Sequence, residues 1–139
     1  MKGLFVDTSG WMMLADAADP LHEAARGARD AWLEGHGVLV STDFVMDETL
    51  TLLRFRLGLP AAESWWQQVD ESALVRWERI DAERSRKARE WFFRWREQDF
   101  SFTDCSSFVV MRELRLKTAL SSDDHFRRAL FTILPEVQP

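Results

Sequence analysis

Four places along this chain carry acids that could share one chemical task. Asp7 ends a short apolar run (Leu4, Phe5, Val6) and is followed at once by Thr8, Ser9 and Gly10. Asp47 and Glu48 lie early in a long amphipathic stretch, Asp104 opens another, and Asp123 with Asp124 follows Thr118-Ala119-Leu120 and two serines. A cluster of carboxylates suits a hard divalent cation such as Mg²⁺, which takes oxygen ligands and binds through a few carboxylates together with substrate phosphate. Without the cation such a cluster repels itself. With it, a water can be activated and set in line with a phosphodiester. Each acid taken alone also has a plain structural role: Asp7, Asp104 and Asp123 all stand where an acid caps or opens a helix. It is their joint placement that points to chemistry.

The elements that must position these acids alternate in type. Leu4–Val6 reads as a buried strand, and Trp11–Ala18 as a first helix stopped near Asp19-Pro20. Residues 21–34 repeat their apolar positions at helical spacing, Gly35 and Gly37 break that helix, and Val38–Val40 is a second strand. Thr42 is placed to cap a helix running to about Leu57, closed by Gly58 and Pro60. A helix over 61–70, a strand over Leu74–Ile80 and a basic helix over 82–96 come next. Gln98–Phe102 reads as loop, 104–115 as helix and Thr118–Leu120 as strand. A short helical turn near Asp123 and a last strand over Phe131–Leu134 complete the chain. Short apolar strands alternating with helices predict an α/β fold, its parallel sheet covered on both faces. In such sheets ligands bind beyond the carboxyl ends of the strands, which is the edge to which these acids are delivered.

Pattern alone does not separate Glu48 from Asp47. At three and four residues' distance Glu48 has Phe44, Val45, Thr51 and Leu52, whereas Asp47 has Asp43, Phe44, Leu50 and Thr51.

Composition frames the reading. The chain's 139 residues suit one domain over 1–139 with a proper core, without internal repeat or linker. A lone cysteine, Cys105, allows no internal disulfide. The opening MKGLFVDTSG has too short an apolar run for a signal peptide, and no stretch reaches the roughly 18 apolar residues a membrane span needs. A soluble protein of the cytoplasm is expected. The formal net charge of −5 argues against a nucleic-acid partner only weakly, because distribution decides binding. Between Arg76 and Arg96 eight basic residues face four acids, which is either a solvated helix face or a basic patch. Seven tryptophans and ten phenylalanines, with Trp65-Trp66 and Trp91-Phe92-Phe93 among them, fit a core with an amphipathic rim, and beyond that a dimer face or a partner groove. His125 could approach such a cation but is read first as a local packing or hydrogen-bonding residue, since imidazole is not the ligand hard Mg²⁺ prefers, and Cys105 is read as a buried small residue on a core helix.

The segments around the acids resemble the PIN domain, in particular the VapC-like toxins of toxin–antitoxin pairs. FVDTSGW (5–11) is similar to the family's first block, STDFVMDETLTLLR (41–54) to its second, FTDCSSFVVMREL (102–114) to its third and ALSSDDHF (119–126) to its fourth. The resemblance covers nearly the whole chain in order. It implies a three-layer α/β/α sandwich with a central, mainly parallel sheet, and it assigns Asp7, Glu48, Asp104 and Asp123 as catalytic ligands of Mg²⁺ or Mn²⁺. Asp124 falls on a more variable neighbouring position, and Ser122 stands where a larger apolar residue is usual. Thr8 and Ser107 match hydroxylic positions that support such a site by hydrogen bonding. The implied activity is a metal-dependent endoribonuclease leaving 5′-phosphate and 3′-hydroxyl ends, the toxin of a pair, with RNA as substrate, an antitoxin as partner and a homodimer as assembly. The rival readings are a silent PIN-like module that binds RNA or protein, disfavoured because all four acids are present, and a phosphohydrolase or phosphoacceptor domain. A phosphatase of the haloacid-dehalogenase kind would need an acid two positions after Asp7, where Ser9 stands.

Overall fold

β1 (Gly3–Val6) is the keel of the molecule: Leu4, Phe5 and Val6 are wholly buried. The computed structural model describes residues 1–136. Around β1 lie β2 (Val38–Thr42), β3 (Val75–Glu78), β4 (Thr118–Leu120) and β5 (Thr132–Leu134), in the spatial order β3-β2-β1-β4-β5 with every pairing parallel. The chain first moves outward from β1 through β2 to β3, then crosses back to lay down β4 and β5 on the other side. Right-handed crossovers therefore put α1 (Thr8–Ala15), α2 (His22–Glu34), α3 (Asp43–Leu57) and α4 (Leu59–Glu71) on one face. α5 (Ala82–Arg94), α6 (Phe102–Glu113) and α7 (Asp124–Arg128) cover the other. Most helix contacts follow that division: α1 touches α2 and α3, α3 touches α4, and α6 touches α5 and α7, while α3 also meets α6 across the two layers, with Phe44 against Phe102. This is the three-layer α/β/α sandwich with a parallel sheet. Its strand order reverses between β1 and β4, which opens a crevice at their carboxyl ends.

Aromatic residues fill both layers. On one face Trp11, Trp65, Trp66 and Trp77 form a contiguous cluster, with Trp11 and Trp77 stacked at 5.9 Å between centroids. On the other, Phe108 meets Trp91, Phe100, Phe126 and Phe131, and Phe126 reaches the sheet at Phe5. Most of the aromatic excess is thus core, while Phe92, Phe93 and Trp95 stay exposed at the end of α5. The basic run is a mostly exposed face on which four of the eight basic residues pair with acids, Arg76 with Glu78 among them. Arg86 pairs with Glu83 and Glu90, Lys87 with Glu113, and Arg84 bridges Glu78 and Glu113.

In three elements the bounds differ from the sequence reading through a side chain that bonds to backbone. α1 begins at Thr8 because Asp7 caps it, and it stops at Ala15 rather than Ala18. There Asp16 and Asp19 turn their carboxylates onto the amides of Ala18 and Leu21, which favours turns over a further helical turn. α6 begins at Phe102, inside the expected loop: Ser101 accepts from the Asp104 amide while the Asp104 carboxylate accepts from the Ser101 amide, a reciprocal capping box. β3 ends at Glu78, and the Ile80 amide beyond it donates to Asp43 instead of a strand partner.

Candidate active site

Asp7, Glu48, Asp104 and Asp123 line one cleft of about 240 Å³ at the carboxyl edge of the sheet. They arrive from four places: the end of β1, the second turn of α3, the first turn of α6, and the cap of α7 beyond β4. Asp7 and Asp123 flank the reversal of strand order, where the crevice opens.

The close approach of α1 to β4 fixes Asp7. A Cβ on Gly10 would sit 2.2 Å from the carbonyl oxygen of Leu120, so only glycine lets the first turn of α1 lie against the end of β4. The Gly10 amide then donates to Asp7 Oδ1 at 2.8 Å. Ser9 donates to the same oxygen and Ser121 to Oδ2, both at 2.8 Å. Those two hydroxyls are themselves held by the amides of Ser122 and Asp123. Three donors favour the ionised carboxylate, yet burial outweighs them, and with the nearby charge of Asp123 it pushes Asp7 up from 3.8 to about 7.

Asp104 is also raised by burial, against the pull of His125 and the Ser101 amide. Its Oδ2 carries both of those bonds, with His125 Nδ1 at 2.8 Å. Asp123 Oδ1 accepts from the His125 amide and lies 3.3 Å from the same ring nitrogen. One ligand atom each from Asp104, Asp123 and His125 can be enclosed within 4.8 Å. The ring is set edge-on against Phe100. Glu48 reaches the cleft on the α3 face that also carries Val45, Leu52 and Arg56, whereas Asp47 does not line it. Asp124 is exposed and pairs with Arg127 and Arg128, so of the two neighbouring acids Asp123 is the one in the cleft.

The hydroxylic residues fall out differently from the expectation. Thr8 and Ser107 both line the cleft, but neither bonds an acid. Ser107 donates to the carbonyl of Thr103 one turn back, and the buried Thr8 Oγ1 has no hydrogen-bond partner. The hydroxyls that do hold an acid are Ser9 and Ser121, whose only mark in the sequence is that each lies two residues from one of the acids. His125, read from sequence as a local residue, sits inside the acid cluster. Burial pushes the Cys105 thiol up to about 12, which leaves it protonated and unfit as a nucleophile.

The donor set fits a hard divalent cation: it is rich in carboxylate oxygen, two of its acids are held above their ordinary range by burial, and it includes a buried hydroxyl with nothing to bond.

Comparison with known proteins agrees with this architecture. The PIN domain family model matches residues 4–131. The 23S rRNA-specific endonuclease VapC20 of Mycobacterium tuberculosis is 36% identical over 136 residues, 98% of each chain. A VapC ribonuclease of Archaeoglobus fulgidus is 42% identical over 91 residues, 65% of this chain and 56% of that one. The crystal structure of M. tuberculosis VapC20, described as a Sarcin-Ricin loop cleaving toxin, superposes with a TM-score of 0.84 at 35% identity, covering 98% of this chain and 99% of that one. The chain belongs to the PIN-domain family and, within it, to the VapC-like ribonucleases.

Proposed function

We propose that this protein is a divalent-metal-dependent endoribonuclease and the toxin of a toxin–antitoxin pair, in which Asp7, Glu48, Asp104 and Asp123 hold Mg²⁺ or Mn²⁺. The observation that carries the reading is the convergence of these four acids, spread over 117 positions, on one cleft at the switch point of the sheet. When bound, the metal supplies charge to the scissile phosphate and lowers the pKa of an attacking water. The chain supplies the rest. The Ser9 and Ser121 hydroxyls and the Gly10 amide hold both oxygens of Asp7 in place, so that carboxylate is oriented before any ligand arrives. His125 fixes Asp104, a residue of the cleft lining, through Oδ2 and leaves its Oδ1 without a hydrogen bond among the described residues.

The substrate is RNA, and the similarity to a relative named for 23S rRNA supports ribosomal RNA, at the sarcin–ricin loop, as the target. An RNA target puts the protein at work in the cytoplasm. An antitoxin is the proposed protein partner, and a second copy of the chain the proposed assembly, supported by the exposed Phe92, Phe93 and Trp95. Purified protein incubated with ribosomes in Mg²⁺, in Mn²⁺ and in EDTA, with the fragment ends mapped, tests the proposal. Discrete cuts that need the metal and leave 5′-phosphate and 3′-hydroxyl ends support it. Intact RNA under all three conditions refutes it.

A further inference from the structure

The cleft that would receive RNA is lined by five acids, the four above and Asp19. An RNA strand brings a negative charge at every nucleotide, and one or two divalent ions neutralise only the phosphates they touch. Productive binding therefore needs a cation for the neighbouring phosphate. Among the residues that line this cleft there is one, Arg56.

Its position follows from helix geometry. Glu48, Leu52 and Arg56 are spaced by four residues along α3 and share the face turned to the cleft, which puts Arg56 two turns beyond Glu48 along the helix. Two turns span about 11–12 Å along the axis, roughly two nucleotides of extended backbone. Seven of the other fourteen arginines, Arg26, Arg29, Arg76, Arg84, Arg86, Arg127 and Arg128, pair with acids, and none of the fourteen lines this cleft. Arg56 is exposed and, among the described residues, makes neither an ion pair nor a side-chain hydrogen bond. Its five N–H donors are free for a bidentate phosphate contact.

We infer that Arg56 is the phosphate anchor of the cleft, binding the RNA backbone one or two nucleotides from the scissile bond and setting its register against the acids. The inference rests on the ribonuclease reading for its substrate, while its test reads binding separately from cleavage. Arg56 acts on affinity and register, not on the reacting atoms.

The test measures anisotropy of a fluorescein-labelled RNA hairpin of sarcin–ricin loop sequence, in Ca²⁺, over a series of KCl concentrations. Wild type is compared with Arg56→Gln, Arg56→Lys and Arg54→Gln. Arg54 is an exposed arginine on the same helix that does not line the cleft. The expected result is about a fivefold to tenfold weaker Kd for Arg56→Gln at 0.1 M KCl, and a log Kd against log salt slope smaller by about 0.7–0.9. Arg56→Lys recovers the slope and part of the affinity, and Arg54→Gln matches wild type. Unchanged thermal unfolding of Arg56→Gln separates this effect from misfolding. The inference is overturned if Arg56→Gln keeps the wild-type slope, if Arg54→Gln loses as much, or if wild type fails to bind the RNA. Cleavage by wild type in Mg²⁺ is scored in parallel: RNA that is bound through Arg56 but never cut overturns the ribonuclease reading and leaves the anchor standing.

Discussion

Replacing Asp7 by asparagine will stabilise the metal-free protein, and the gain will grow with pH. Asp7 is buried at the end of β1, and burial raises its carboxyl from 3.8 to about 7. The folded state therefore holds a proton that the unfolded chain releases. For an acid raised in this way, the stabilising contribution is complete below the unfolded value near 4 and is lost progressively as pH rises to about 7. A difference of about 3 pH units at 1.36 kcal/mol each is worth about 4 kcal/mol at pH 8, and about 1.7 kcal/mol is already lost at pH 5. Asparagine keeps the shape and can still accept from Ser9 and Gly10 through its Oδ1. Its amide would face Ser121, whose hydroxyl must then turn, and a cleft open to water softens the burial penalty, so the gain at pH 8 is nearer 2–4 kcal/mol. Urea unfolding in EDTA at pH 5 and pH 8 measures it. The expected result is Asp7→Asn more stable than wild type at both, with a gap that widens by about 1–2.5 kcal/mol toward pH 8. Added Mn²⁺ narrows or inverts that gap, because it stabilises the charged site of wild type selectively. A gap that stays constant with pH, or a variant less stable than wild type at pH 8, refutes the reasoning.

Other consequences follow from the same geometry. Gly10→Ala drives a methyl into the Leu120 carbonyl and should cost about 2–3 kcal/mol in urea unfolding; a loss below about 0.5 kcal/mol would show that α1 can back away from β4. Ser121→Ala removes the donor to Asp7 Oδ2 and the acceptor of the Asp123 amide, and should destabilise the protein by about 1–3 kcal/mol and weaken Mn²⁺ binding in calorimetry about tenfold. Ser101→Ala breaks the capping box that opens α6, at a cost of about 1 kcal/mol in the same unfolding assay. Cys105 should resist a thiol reagent in the native protein at pH 8 and react only on unfolding.

What sequence could and could not disclose divides along physical lines. Elements whose signals are local were legible: the Thr42 cap of α3, its stop at Gly58 before Pro60, and the buried run of β1. The beginning of α6 was not, because Ser101-Phe102-Thr103-Asp104 closes its box with an aspartate where glutamate or glutamine is usual. The shared destination of the acids was legible, since strand ends in a parallel sheet converge. Choosing Glu48 over Asp47 was not legible from periodicity, because both have mixed neighbours; in the fold it is the face of α3 carrying Val45, Leu52 and Arg56 that lines the cleft, and Glu48 lies on it. Ser9 and Ser121 are 112 positions apart and carry no periodic signal, so their joint grip on Asp7 exists only in three dimensions. His125 was legible as a hydrogen-bonding residue near the acids, but its partner was not: the single turn of α7, capped by Asp123, brings the ring to Asp104, 21 positions away. The basic run was visible, but the acids that neutralise it come partly from β3 and α6.

The most direct test of the account is the single-turnover rate of RNA hairpin cleavage in Mg²⁺, measured for wild type and six substitutions. Asp7→Asn, Glu48→Gln, Asp104→Asn and Asp123→Asn should each slow cleavage by at least about 100-fold, which is about 2.7 kcal/mol of transition-state stabilisation. Asp47→Asn and Asp124→Asn, the neighbouring acids that point elsewhere, should stay within about twofold of wild type, under 0.5 kcal/mol. Near-wild-type cleavage by any of the four, or a collapse in Asp47→Asn or Asp124→Asn, would contradict the claim that these four carboxylates form the reacting site.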